Sequence, residues 1–312
     1  MTIVAPGAGS TAGDPFEGPT ASVDDRGTSL WRGAFQRLRR DPFAITGAVI
    51  VVLFVLVALF APLLAPYEPA GAQWGNQVTP SDVPGPSADH LLGLDAFGSD
   101  LLTQLLYGAR QSLVIGIVST TLGLSVGAAI GLLAGGLGGW VDGVLMRMVD
   151  VLLSIPSLLL AVSVAAVLGR TAISVMIAIA AAQVPIFARL LRGSLLSQRG
   201  ADYVLAASSL GLRRRTVVLS HMLPNSLGPV IVQATLVLAT ATIEVAALSY
   251  LGLGEPNPTV AEWGRMLVKS QDRLETDPQL ALLPGLLIAL TALGFTLLGE
   301  ALREALDPKF RR

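Results

Sequence analysis

The sequence predicts an all-α integral membrane protein with six transmembrane helices and both termini on one side. Three observations carry that prediction. Of 312 residues, 52% are hydrophobic and only 14% charged, whereas a soluble domain is typically about one quarter charged. The apolar residues gather into six segments of the length needed to cross a bilayer, about 20 residues. The charges collect between them, so the net charge of −1 hides a strong segregation.

Composition also narrows chemistry. There is no cysteine, which excludes disulfides, thiolate metal sites and cysteine nucleophiles. The two histidines, His90 and His221, are too few and too far apart for a histidine metal centre.

Residues 1–28 are rich in Gly, Pro, Ser, Thr and Asp, and their low apolar content predicts a disordered tail. Residues 29–42 read as an amphipathic interfacial helix, with Trp31, Phe35 and Leu38 on one side and Arg32, Arg37, Arg39 and Arg40 available to headgroups. The first span follows at 43–65, uncharged throughout, and with its external loop forms a unit over 43–110. That loop carries five acidic residues and no Lys or Arg over 66–109, and its end predicts a short interfacial helix.

The core, 111–300, contains the other five spans and a polar loop at 191–225. Span two, at 112–135, places Gly123, Gly127, Gly131 and Gly135 four apart, a spacing that lets a neighbouring backbone approach one helix side. A glycine hinge is the sharper alternative to simple packing. Span three, 143–168, has Arg147 and Asp150 spaced to pair on one face, and Pro156 to kink it. Span four, 172–190, holds Gln183 and Pro185; span five, 226–252, holds Glu244; span six covers 279–299, ahead of a charged tail at 301–312.

Basic residues sit on the inner side of membranes. Five arginines lie between 26 and 40, six between 189 and 215, and four basic residues follow residue 302. The 253–278 loop, with three basic and five acidic residues, is the opposing vote. Both termini and the 191–225 loop are therefore expected in the cytoplasm.

Within that loop, Tyr203, Ala207 and Leu210 fall on one side of a short helix, Gly211 suits a left-handed stop, and a second short helix spans 213–222 before Pro224 breaks it. A basic loop held to anionic lipid, at about 1 kcal/mol per charge, explains the arginines but not the ordered turn or the small Ala206 and Ala207.

This stretch resembles the cytoplasmic loop motif of ABC-importer permeases: Glu-Ala-Ala, three residues, Gly, nine residues, Ile, one residue, Leu-Pro. Ala206, Ala207, Gly211, Leu223 and Pro224 match it in register; Leu205 stands in place of Glu and His221 in place of Ile. Further stretches, LLGLDAFGSDLLTQLLYGARQSLVIG, GGWVDGVLMRMVDVLLSIPSLLLA, HMLPNSLGPVIVQATLVLATATIEVAALSYLGLG and LREALDPK, resemble the dipeptide/oligopeptide permease family, C-type subunit, over roughly residues 30–310.

The resemblance implies a type I ABC-importer permease fold in a bacterial plasma membrane. It implies four kinds of partner: a second homologous permease, two ATPase subunits or domains, an extracytoplasmic substrate-binding protein, and lipid. Nucleic acid is not among them. It assigns ATPase coupling to Ala206, Ala207, Ser208, Gly211, Leu212, Arg213, Leu223 and Pro224, with the neighbouring arginines facing acidic groups at the ATPase rim. The chain itself would bind no cofactor. ATP and Mg would sit on the ATPase partners, consistent with the lack of a GxxxxGK[ST] loop here.

Glu244 and Gln183 are the polar candidates for the translocation path. A mid-membrane carboxylate costs about 2.5–3.5 kcal/mol and must face protein or water; a hydrogen bond between helices is the structural alternative. Peptides are the expected cargo, and nickel complexes or other small solutes the alternative. A self-sufficient secondary transporter is a competing class, disfavoured by the lack of an evident internal repeat.

Overall fold

The computed structural model describes residues 35–69, 72–79, 82–257 and 259–306. The expected disordered tail, residues 29–34 of the interfacial segment and the last six residues lie outside that set. Of the interfacial segment, 35–38 are helical and Phe35 is exposed.

Helix α1 is Pro42–Leu64. Asp41 caps it, its Oδ1 accepting from the Phe43 and Ala44 amides at 2.8 and 3.3 Å, and Pro42 occupies the first turn, where no amide hydrogen is required. Its buried face is narrow: Ala44, Gly47, Phe54, Ala58 and Ala61. Gly47 lies against α9 (Gln279–Leu306), where an added Cβ would come within 2.7 Å of the Leu298 nitrogen. The other faces carry exposed Leu, Val and Phe, as a lipid-facing helix requires.

Helix α2, Leu101–Leu137, is one continuous rod of 37 residues. The separate interfacial helix expected before span two does not exist. Asp100 accepts from the Thr103 amide at 2.8 Å and starts the helix early, and nothing between 101 and 112 breaks it because the stretch lacks proline. Helix α5, Ala172–Gln198, packs along α2 and extends past its expected end.

Span three is not one helix. Helix α3 (Gly139–Leu153) and helix α4 (Ser157–Leu168) meet at 92°. Pro156 lacks an amide hydrogen and restrains Ile155, so the kink expected there becomes a full corner. Five helices are long and apolar enough to cross a membrane, and the bent pair makes six if it counts as one span.

Helix α6 is Asp202–Ser209. Helix α7 runs from Arg214 to Tyr250, against the expected break at Pro224. The chain accommodates that proline by widening one turn: Val217–Met222 is π-helical, and the Leu223 amide donates to Val218, five residues back. Helix α8, Trp263–Lys269, is short and lies beside α7 and α9.

Four apolar clusters fill the bundle, the smallest where Met146 and Val149 of α3 meet Ala134 of α2 and Ala188 of α5. One joins α1, α2, α8 and α9 around Phe54, Leu105, Trp263 and Phe295. A second joins α4, α5 and α7 around Ile179 and Leu248. The third joins α5, α6 and the start of α7 around Phe187, Leu195 and Met222.

Candidate functional site: a projecting helix and a polar spot in the bundle

The four glycines of α2 spaced four apart, Gly123, Gly127, Gly131 and Gly135, face α5 in matched register. An added Cβ at Gly123, Gly127 and Gly131 would lie 3.0, 2.5 and 2.6 Å from the carbonyl oxygens of Ala180, Val184 and Ala188. At Gly135 it would meet Leu195 at 3.1 Å. Each four-residue step on one helix is answered by four on the other, so the two backbones touch directly.

This seam carries the segment that leaves the bundle after α5. Val204 and Ala207 on α6 pack inward against Val217, Val218 and Met222. A Schellman turn then closes α6: the Gly211 amide donates to Ser208 at 3.0 Å and the Leu212 amide to Ala207 at 3.3 Å. Gly211 has φ +77°, yet its missing side chain would meet nothing within 4 Å. Glycine is needed there for backbone conformation, not for clearance.

Of the residues the motif assigns to coupling, Ala206, Ser208, Gly211, Leu212, Arg213 and Pro224 are exposed. Leu223 is half-buried. Ala207, expected on the working surface, faces the interior instead, since the α6 register that exposes Leu205 and Leu210 turns Ala207 toward α7. Leu210 is 82% exposed and Leu205 54%. Spacing placed Leu210 on the same side as Ala207, and Leu205 stood out only in place of the motif's Glu; the structure turns both leucines outward, away from buried Ala207.

The arginines are largely used within the chain. Arg192 forms a two-point pair with Asp142 of α3, with one contact at 2.7 Å. Arg189 pairs with Asp150, which corrects the expected Arg147–Asp150 pair: Asp150 points across to α5 rather than along its own helix. Arg199 and Arg214 each donate to a carbonyl at the end of α2, Gly135 and Leu137, both at 2.7 Å.

The two polar candidates for a path are placed differently. Gln183 is 3% exposed and lies in the α2–α5 seam beside Gly123, with no hydrogen-bond partner for either amide atom. It turns inward, away from any open wall of this chain. Glu244 on α7 is half-buried, its Oε2 enclosed and without a hydrogen bond, and its polar neighbour is Ser157 at the α3–α4 corner.

The opposite end of the bundle is built from the 66–100 and 251–278 segments. His90 Nδ1 lies 3.0 Å from Asp100, the same carboxylate that caps α2, and Trp74 packs edge-on against the imidazole at 4.5 Å. Lys269 pairs with Asp95 at 3.3 Å, and Arg273 donates to the Thr79 carbonyl at 2.8 Å, so the two segments are tied together. Trp263 is fully buried and donates its indole N–H to the Leu105 carbonyl at 3.0 Å. Glu262 caps α8 from a buried position; burial pushes its carboxyl up, against the Ser249 hydroxyl, the Gly264 amide and Arg265, which hold it down. Among the described residues no group of three or more metal-ligating side chains occurs.

A bundle of apolar helices long enough to cross a membrane, with a short helix packed at one end, is the architecture of an integral membrane protein. The chain belongs to the family described as binding-protein-dependent transport system inner membrane component, which matches residues 127–312, and the N-terminal TM domain of oligopeptide transport permease C matches residues 29–82. It is 43% identical to the dipeptide transport system permease protein DppC of Alkalihalophilus pseudofirmus, over 91% of each chain. It is 41% identical to the di/tripeptide transport system permease protein DppC of Pseudomonas aeruginosa, over 89% of this chain and 91% of that one. It is 37% identical to the glutathione transport system permease protein GsiD of Pectobacterium atrosepticum, over 90% and 92% respectively. The chain is accordingly a multi-pass permease subunit of the ABC importer class, in the inner membrane.

Proposed function

We propose that this chain is one of two permease subunits of an ATP-driven peptide importer and that α6 is its contact with an ATPase. The carrying observation is α6 itself, an eight-residue helix with its inner face pinned to the bundle and Leu205, Leu210 and Leu212 turned outward. Exposed leucines beside Arg213 fit an apolar cleft with an acidic rim on a partner. The 191–225 loop then lies in the cytoplasm with both termini. The 66–100 and 251–278 segments face a substrate-binding protein on the other side.

The partners supply what this chain does not. ATP and Mg are bound by two ATPase subunits or domains, and their closure moves α6. The second permease completes the path between the two subunits. Glu244 is our candidate wall residue: half-buried, unpartnered at Oε2 and beside the corner at Pro156, it suits the ammonium group of a peptide. Peptide cargo is favoured because the relatives above are named for dipeptides, di- and tripeptides and glutathione.

The test is reconstitution of the chain with its second permease, ATPases and binding protein in liposomes. ATP-driven uptake of a dipeptide, with hydrolysis stimulated by the loaded binding protein, is the expected result. Uptake driven by an ion gradient in the chain alone would overturn the reading, and uptake only of a nickel complex would overturn its peptide part.

A further inference from the structure

We infer that Arg199 and Arg214 are positioning residues that fasten both ends of the projecting segment to the end of α2, so that displacement of α6 is carried through α2 to the far side of the bundle. The inference rests on the coupling role proposed for α6.

The last turn of a helix leaves carbonyls without intrahelical partners, and the helix dipole makes that end a site for cations. At the end of α2 the Ala134 carbonyl takes the Gly138 amide. The Gly135 carbonyl takes Arg199 and the Leu137 carbonyl takes Arg214, each at 2.7 Å. These two arginines bracket residues 200–213, the stretch that contains α6 and its Gly211 turn. One guanidinium comes from the end of α5 and the other from the start of α7, yet both reach carbonyls two residues apart.

The segment is therefore a closed strap on α2, not a loop free to swing. Just beyond the corner, Arg192 holds Asp142 of α3, so the strap's anchor is fixed on that side too. Gly138 and Gly139, with φ +65° and +61°, place the corner between these two attachments.

α2 is suited to carry a displacement. Its 37 residues contain no proline and span about 55 Å at 1.5 Å per residue. Along the glycine seam its backbone lies directly against that of α5, which leaves no slack for bending toward it. Its other end is locked by Asp100, and Leu105 is bonded to Trp263 in the 251–278 segment. A push on α6 thus has a contiguous route to the surface where a binding protein would dock.

The test uses the full complex in liposomes, with a panel of radiolabelled dipeptides from which the one taken up by the wild type is chosen. In R199Q/R214Q the complex should assemble and hydrolyse ATP, while dipeptide taken up per ATP falls roughly tenfold, the scale of losing charge-assisted hydrogen bonds. R199K/R214K, which keeps a cationic donor at each site, should recover most of that ratio. An unchanged uptake per ATP in the glutamine variant would overturn the inference. So would failure of that variant to assemble, because the arginines would then be folding contacts, and so would lysine variants as defective as glutamine. A wild-type complex without ATP-driven uptake of any dipeptide would refute the importer reading itself, and with it the inference that rests on it.

Discussion

The glycine seam permits the sharpest prediction. Replacing Gly127 by Ala adds one methyl whose carbon would sit 2.5 Å from the Val184 carbonyl oxygen and 2.7 Å from the Phe187 Cβ. Ordinary contact begins near 3.4 Å, so α2 and α5 must separate by almost an ångström. A gap of about 0.5–1 Å forfeits a quarter to a half of each dispersion contact across it, and overpacking of this kind typically costs about 1–3 kcal/mol. Lipid gives no hydrophobic term to offset the loss, since acyl chains are as apolar as the helices. Gly131→Ala, at 2.6 Å from Ala188, should behave like Gly127→Ala, while Gly123→Ala and Gly135→Ala, at 3.0 and 3.1 Å, should cost less. Gly143 is the control: a Cβ there meets nothing within 4 Å, and alanine should be neutral or stabilise by up to about 1 kcal/mol. Thermal unfolding of the purified protein in detergent, followed by the loss of the monodisperse peak, gives the ranking. Equal stability of all four seam variants, or equal loss at Gly143, would refute the argument.

Three other outcomes are expected. Leu210→Glu should leave the chain folded but abolish its co-purification with the ATPase, whereas Ala207→Glu, which buries a charge beside Val217 and Met222, should lower the stability of the chain itself; the reverse assignment would count against the α6 face described above. Glu244→Gln should reduce uptake while assembly stays intact, and unchanged uptake would remove Glu244 from the path. Glu262 has a folded carboxyl raised by burial above its ordinary value of about 4.3. Its stabilising contribution is then fullest at or below that ordinary value and is lost as pH rises through the elevated one. Glu262→Gln should flatten this fall in a pH series of melting temperatures, and an unchanged slope would place the titration elsewhere.

Much of this was legible in the sequence because membranes impose simple local rules. Apolar length marks spans, so Pro42–Leu64 was placed to within a residue or so. Gly211 was readable as a left-handed stop because few other residues tolerate φ +77°. The 201–225 motif was readable because its spacing is a property of chain order alone.

What was misread involves partners distant in sequence. The spacing of Arg147 and Asp150 permits a pair, but nothing local reveals that Arg189, on another helix, reaches Asp150 first. A proline at 156 and one at 224 carry the same local signal, yet one makes a 92° corner and the other is absorbed by a π turn. The difference lies in what packs around them: Val217, Val218 and Met222 are held in a cluster with α5 and α6, whereas Ile155 and Pro156 are exposed. Ala207 likewise needed the register of α6 against α7 before its direction was known.

The sequence by itself thus determined the class of the protein, five of its apolar spans and its glycine spacing, since each follows from residue type and separation along the chain. Only the tertiary structure decided which face of α6 is offered, where the arginines go and how the two loop segments lock together. Those depend on charges and packing surfaces that folding brings together from helices far apart in sequence: Arg214 comes to rest on Leu137, and Trp263 on Leu105.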